Sequence, residues 1–146
     1  MNEELKVMVE MKKMFNMLKR YADKNIEQLQ NNDLTPVQIM ILGYISENSN
    51  RDLFQRDIET AFNIRRSTVT NVVQMIEKKG FIKRESVKND ARLKKIVLTD
   101  KSIKLGEIFI KMMDSLEEKI KVGITQEEFK SFFHVIEKIN RNLEDK

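Results

Sequence analysis

Apolar side chains recur at steps of three and four from the first residues onward: Leu5, Met8, Met11, Phe15, Leu18, Ala22, Ile26 and Leu29. That is the period of one helix face, and it predicts a single amphipathic helix over 5–30. Val7, Met14, Met17 and Tyr21 form a second stripe that widens the apolar surface. A helix of about 25 residues is roughly 38 Å long. A small domain rarely covers that length on two sides, so the pattern predicts a partner subunit. Asn31, Asn32 and Asp33 then break it.

Thr35-Pro36-Val37-Gln38 predicts a helix start, with Thr35 as cap, Pro36 at the first helical position and Gln38 closing a capping box. Ile39, Leu42 and Ile45 follow on one face, and the polar run 46–52 ends the helix. A short helix is expected over 56–62. Asn63 sits at the turn after it, where a left-handed backbone costs Asn less than most residues. The next helix, 66–79, turns Val69, Val72, Val73 and Ile76 inward, with Gly80 as its C-terminal cap. Residues 82–87 read as a half-buried strand, 88–92 as a polar turn, and 95–98 as the returning strand. Thr99 is the expected cap of a long helix striped by Ile103, Ile108, Met112, Leu116 and Ile120 and ended by Gly123. Thr125 to Glu128 spell a second capping box, before Phe129, Phe132, Phe133, Ile136, Ile139 and Leu143 at helical spacing.

Helix, short helix, turn, helix and two-stranded hairpin, in that order, spell a winged helix-turn-helix, whose second helix enters the major groove of DNA. The expected fold is mainly α with a small β-hairpin wing. Residues 33–103 form the DNA-binding region, and residues 1–32 and 104–146 the flanking helical dimerisation region.

Charge supports this division. The net charge of +4 is modest, but it is unevenly placed. Residues 51–104 carry 14 Lys and Arg against 7 Asp and Glu, an excess of +7, and the remainder carries −3. A basic reading unit on an acidic support is the electrostatic footprint of a nucleic-acid binder. The 146 residues include no Cys, which removes thiol catalysis, disulfides and Cys-based zinc sites. No phosphate loop, catalytic carboxylate pair or Ser/His/Asp set stands out, so no enzyme and no cofactor is expected. Most of the nine Met sit on the helical stripes and are read as core filling. His134, alone and off the Phe132/Phe133/Ile136 face, is read as exposed surface, and no metal site is expected. The charged start 1–6 does not read as a signal peptide, and no stretch approaches the ~18 consecutive apolar residues of a spanning helix. The expected setting is therefore the cytoplasm, with no membrane partner.

Several segments together resemble the MarR family of bacterial transcriptional regulators: Leu34 to Gln38, Ile58 to Thr70, Glu77 to Ile82, Asp90-Ala91-Arg92 and Val97-Leu98-Thr99. The resemblance implies a homodimer with interlocked N- and C-terminal helices. It also implies a short palindromic site on double-stranded DNA, usually repressed and often released by a small ligand such as an aromatic acid. That ligand would sit between the helical region and the winged unit, where Phe15, Tyr21, Met40 and Tyr44 are either cleft lining or ordinary core. The absence of Cys excludes the family's peroxide-sensing branch, and the lone His weighs against its zinc-responsive branch. Three residues depart from the pattern. Glu59 stands where a small residue is common, Arg65 where a Ser-like cap is frequent, and Ser102 where Gly is frequent.

Arg65, Arg66, Ser67, Thr68, Thr70 and Asn71 begin the second motif helix, whose first residues face base edges. Arg suits guanine and Asn suits adenine by paired hydrogen bonds, whereas Ser and Thr more often hold phosphates. Lys88 and Asn89 at the wing, and Gln55 and Arg56 at the start of the first motif helix, are candidates for backbone contact. The family resemblance places Arg92 in the minor groove, supported by Asp90. An A·T-rich minor groove attracts Arg through its enhanced negative potential. Two other readings use the same residues: an architectural protein coating DNA with little sequence preference, or a winged unit that contacts proteins.

Overall fold

The computed structural model describes residues 6–25 and 33–144. The expected helix positions Leu5, Ile26 and Leu29, and the break at Asn31 and Asn32, lie outside them. The described elements are α1 (Val7–Asn25), α2 (Pro36–Glu47), α3 (Gln55–Phe62), α4 (Arg66–Lys78), β1 (Ile82–Val87), β2 (Asp90–Leu98), α5 (Asp100–Lys121) and α6 (Gln126–Leu143). This is a mainly helical winged helix-turn-helix. The chain divides into two compact units, Met1–Met112 and Met113–Lys146.

In the first unit, α2 starts where the sequence places it. The Thr35 hydroxyl accepts from Gln38 N at 3.3 Å, and Gln38 Oε1 accepts from Thr35 N at 3.1 Å. Ile39, Ile41, Leu42 and Ile45 of α2 pack with Leu53, Ile58 of α3, Val69, Val73 and Ile76 of α4, and Phe81, Ile82 and Ile96 of the wing base. Leu105 and Phe109 of α5 are buried as well. Val72, expected inward, is only half-buried. Asn63 adopts the left-handed conformation (φ 49°, ψ 47°) and ends α3. Gly80, at φ +81°, turns the chain from α4 into the wing. Only the hydrogen side chain of glycine adopts that backbone without strain.

Along α5 the buried stripe differs from the expected one. Ser102, Leu105, Gly106 and Phe109 face inward, while Ile103 is exposed. The reason is close approach to α2. A Cβ on Gly106 would lie 1.9 Å from Ser46 Oγ, and one on Gly43 would lie 1.9 Å from Phe109 Cε1. Small residues permit this contact, and a search for apolar periodicity passes over them.

Thr99 is also used differently from its expected capping role. Its hydroxyl donates to the Gly80 carbonyl at 2.6 Å, and its N–H donates to the Phe81 carbonyl. It fastens the end of the wing to the end of α4.

The second strand begins earlier than expected, at Asp90 rather than Lys95. β1 and β2 pair antiparallel from Ile82↔Leu98 to Ser86↔Lys94, and after an irregularity at Ser86/Val87 the ladder closes at Val87↔Asp90. Only Ile82 and Ile96 of the two strands are buried. Backbone hydrogen bonding therefore extends the hairpin beyond its apolar part, where periodicity gives no signal. Ile96 N also donates to the Leu53 carbonyl at 2.7 Å, fixing the wing base to the segment that leads into α3.

No residue of α1 is buried, and Met8, Met11, Phe15 and Met17 are open to solvent in the single chain. In the second unit α6 opens with the expected capping box. Glu128 N donates to Thr125 Oγ1 at 3.2 Å, and Thr125 N donates to Glu128 Oε2 at 2.8 Å. The Phe129 and Phe133 rings stack at 6.2 Å, with Phe133 itself 60% exposed. His134 is exposed.

Candidate nucleic-acid interface

The amino end of α4 combines positive side chains with open backbone donors. Arg65 occupies the N-cap in an extended conformation (φ −62°, ψ 143°), with no side-chain cap bond. Its carbonyl accepts from the N–H groups of Thr68 and Val69. The N–H groups of Arg66 and Ser67 precede the first intrahelical bonds, as the first turn of any helix requires. Arg65, Arg66, Ser67, Thr68 and Asn71 are all exposed. Among the described residues, the Arg65 and Arg66 guanidiniums take no acidic partner. Uncompensated charge beside open N–H groups favours an anionic ligand.

Thr70 and Gln55 are placed differently. The Thr70 hydroxyl donates to the Arg66 carbonyl at 2.8 Å and accepts from Gln55 Nε2 at 2.6 Å. Gln55 Nε2 also donates to Glu59 Oε1 at 3.3 Å. All three side chains are half-buried, and they join α3 to α4. This is where the unusual Glu59 finds its partner. Arg56 is exposed and lies over the Phe54 ring at 5.6 Å. Asp57, one turn into α3, accepts from Phe54 N at 2.8 Å and holds the helix start.

At the wing tip, Lys88 and Asn89 form the two-residue link between the strands, and both are exposed. Asp90 Oδ1 accepts from the backbone N–H of Arg92 at 2.9 Å. The aspartate thus shapes the chain around Arg92, and among the described residues the exposed guanidinium takes no ion pair.

A family model described as the MarR family matches residues 32–93. The transcription regulator MarR from Oenococcus oeni PSU-1 is 30% identical, aligned over 92% of this chain and 96% of its own, with a TM-score of 0.74. The chain belongs to the MarR family. Two further members extend the comparison. MepR of S. aureus, in a complex with DNA, is 28% identical over 98% of this chain and 100% of its own, with a TM-score of 0.84. The heme sensor protein PefR from Streptococcus agalactiae, in complex with heme, is 25% identical over 98% of this chain and 95% of its own, with a TM-score of 0.62. The chain thus has the fold of a MarR-family DNA-binding transcription regulator.

Within that MarR frame, three contacts went unread in the sequence because they bridge separate elements, whose relative placement no local pattern gives. Lys79 Nζ reaches Gln38 Oε1 at 3.0 Å and the Asp33 carbonyl, tying the end of α4 to the start of α2. Gln38 is 6% exposed, so this bond satisfies a buried amide. Lys101 Nζ donates to the Lys79 carbonyl at 2.9 Å and lies 4.3 Å from the Phe81 ring centroid. Arg84 of the wing pairs with Glu77 of α4.

An open cleft of about 490 Å³ lies beside the wing base, lined among others by Ile45, Arg51, Leu53, Lys95, Ile103 and Glu107. Phe15, Tyr21, Met40 and Tyr44 do not line it. Among the described residues, no group of three His, Cys, Asp or Glu side chains is placed to hold a metal ion. No described helix is long and apolar enough to cross a membrane.

Proposed function

We propose that this MarR-family chain is a repressor that binds a pseudo-palindromic operator on double-stranded DNA as a homodimer in the bacterial cytoplasm. The observation that carries this reading is the pair of uncompensated guanidiniums, Arg65 and Arg66, at the uncapped start of α4. In this reading Arg65, Arg66, Ser67, Thr68 and Asn71 meet the major groove, Arg56, Lys88 and Asn89 meet backbone, and Arg92 enters the minor groove. The complex of MepR with DNA supports the DNA-binding assignment by kinship. Residues 1–32 and 104–146 form the dimer, which covers the exposed apolar side chains of α1 and α6. A small effector, aromatic or otherwise conjugated and planar, releases the operator. The heme complex of PefR supports ligand control in a relative, and the cleft beside the wing base is the site proposed here.

Selection from random duplexes tests the reading. It is expected to enrich two half-sites about 10 bp apart, one helical turn, as two recognition helices on a two-fold axis require. Arg66→Ala should cost about 1–3 kcal/mol and relax one position of each half-site. Affinity should fall steeply with salt. Enrichment of no motif, with strong binding at low salt, would establish the architectural reading instead.

A further inference from the structure

Glu59 is the residue for which the winged unit gives the least ordinary account. A carboxylate on the α3 face next to α4 repels DNA phosphate, yet its neighbours are organised around it. Gln55 sits one helical turn earlier, and its amide nitrogen spans Glu59 Oε1 at 3.3 Å and Thr70 Oγ1 at 2.6 Å. The Thr70 proton is already given to the Arg66 carbonyl at 2.8 Å. Thr70 therefore meets Gln55 only as an acceptor, and an ionised carboxylate accepts and never donates. Both neighbours thus demand the NH₂ group of Gln55. The orientation of the amide is fixed by hydrogen-bond chemistry.

The consequence concerns what Gln55 can still do. Both its N–H groups are used, and its one remaining polar atom is the carbonyl oxygen. A phosphate oxygen also only accepts, so the Gln55 side chain in this state offers a phosphate nothing. A free Gln could read adenine with donor and acceptor together. One locked by Glu59 can serve only a base amino group, N6 of adenine or N4 of cytosine. We propose that Glu59 is a positioning residue for sequence discrimination. It locks the Gln55 amide so that Gln55 braces α4 through Thr70 and presents an acceptor alone to the DNA, selecting a base amino group and rejecting phosphate contact. This rests on the proposed reading of α4 and the start of α3 as the DNA-facing side.

The experiment is selection from random duplexes with the full-length protein, its Gln55→Ala variant and its Glu59→Ala variant, each first checked for an unchanged helical circular dichroism spectrum. The wild type is expected to require an amino-bearing base, A or C, at one contacted position of each half-site. Gln55→Ala should lose that requirement and bind the selected duplex about two- to tenfold more weakly, the range of one neutral hydrogen bond. Glu59→Ala frees one N–H of that amide while Thr70 keeps the other, so the side chain can then donate as well as accept. At that same position alone it should admit G or T, whose O6 and O4 accept. In the DNA-free protein, Glu59→Ala should also move the side-chain NH₂ resonances of Gln55. A role confined to holding the helix would instead alter preferences at every position read by α4. That outcome overturns the proposal, as does an unchanged preference in both variants while the wild type still selects a motif. If the wild type selects no motif, the DNA-reading assignment fails, and this proposal with it.

Discussion

Arg84 and Glu77 couple the wing to the recognition helix: Nε and Nη2 of the arginine both reach Glu77 Oε2, at 3.1 and 2.7 Å. One residue belongs to β1 and the other to the last turns of α4. Both side chains are about one-third exposed. Solvent screening holds such a pair to about 0–1 kcal/mol of stability. Its larger effect is on direction, because it fixes the wing relative to the helix that precedes it. A double-mutant cycle with Arg84→Met and Glu77→Gln should give a coupling of under about 1 kcal/mol. Amide hydrogen exchange should accelerate in β1 and β2 more than in α2. Exchange accelerating equally throughout would mean that the pair acts on global stability only.

Arg92 should contribute to DNA affinity without contributing to the fold. Its guanidinium is exposed, and Asp90 holds only its backbone N–H. Arg92→Ala is expected to leave the melting temperature within about 2 °C, since surface changes fall within about ±0.5 kcal/mol. It should weaken operator binding and relax an A·T preference flanking each half-site. Selection from random duplexes with the variant checks this, and an unchanged flank would place Arg92 outside the groove.

Gly43→Ala should destabilise the first unit. The added methyl would meet the Phe109 ring at 1.9 Å, a contact that forces α2 and α5 apart or the ring off its rotamer. Overpacking of this kind costs about 1–3 kcal/mol, against the roughly 1 kcal/mol that Ala in place of Gly returns inside a helix. Urea denaturation should show a net loss, partly restored by Phe109→Leu in the same chain. A Gly43→Ala protein more stable than the wild type would contradict the packing.

Stability of α6 should depend on acid through Glu128. Hydrogen bonds from the Thr125 backbone and hydroxyl hold its carboxyl below the usual carboxylate range. A group with a lowered folded value contributes fully above its unfolded value and loses that contribution as pH falls through the folded one. Fraying at the start of α6 should therefore increase below about pH 4, where an ordinary carboxylate takes up its proton. Glu128→Gln should remove that local pH dependence, as read by the amide shifts of Thr125 and Glu128. A Thr125 amide shift with the same pH midpoint in Glu128→Gln would assign the effect to another group.

Local chemistry made much of this molecule legible in advance. Thr35 with Gln38, and Thr125 with Glu128, declare helix starts because a capping box is written in four consecutive residues. Asn63 and Gly80 mark turns because their backbones tolerate positive φ. The wing was legible only as far as its apolar residues ran. The ladder from Asp90 to Lys94 is held by backbone bonds that leave no imprint on side-chain pattern. The inward stripe of α5 was obscured because Ser102 and Gly106 pack by being small. Among the candidate site residues, Arg65 and Arg66 could be named from the order of elements and Arg92 from the family resemblance. The bond between Gln55 and Thr70 spans 15 positions, and only the angle between α3 and α4 creates it.

The wing is fastened at one end only. Thr99, Phe81, Ile82 and Ile96 anchor its base, while the side chains from Lys83 to Lys95 lie outside the core. Selection therefore acts on two separable objects within one hairpin. In the proposed reading of the wing, a substitution at the base is judged by whether the protein still folds, and one at the tip by which DNA it still holds. On that reading, descendants of this chain can drift in target preference through the tip while the hydrophobic residues beneath it stay constant, so regulators with different operators can share one scaffold.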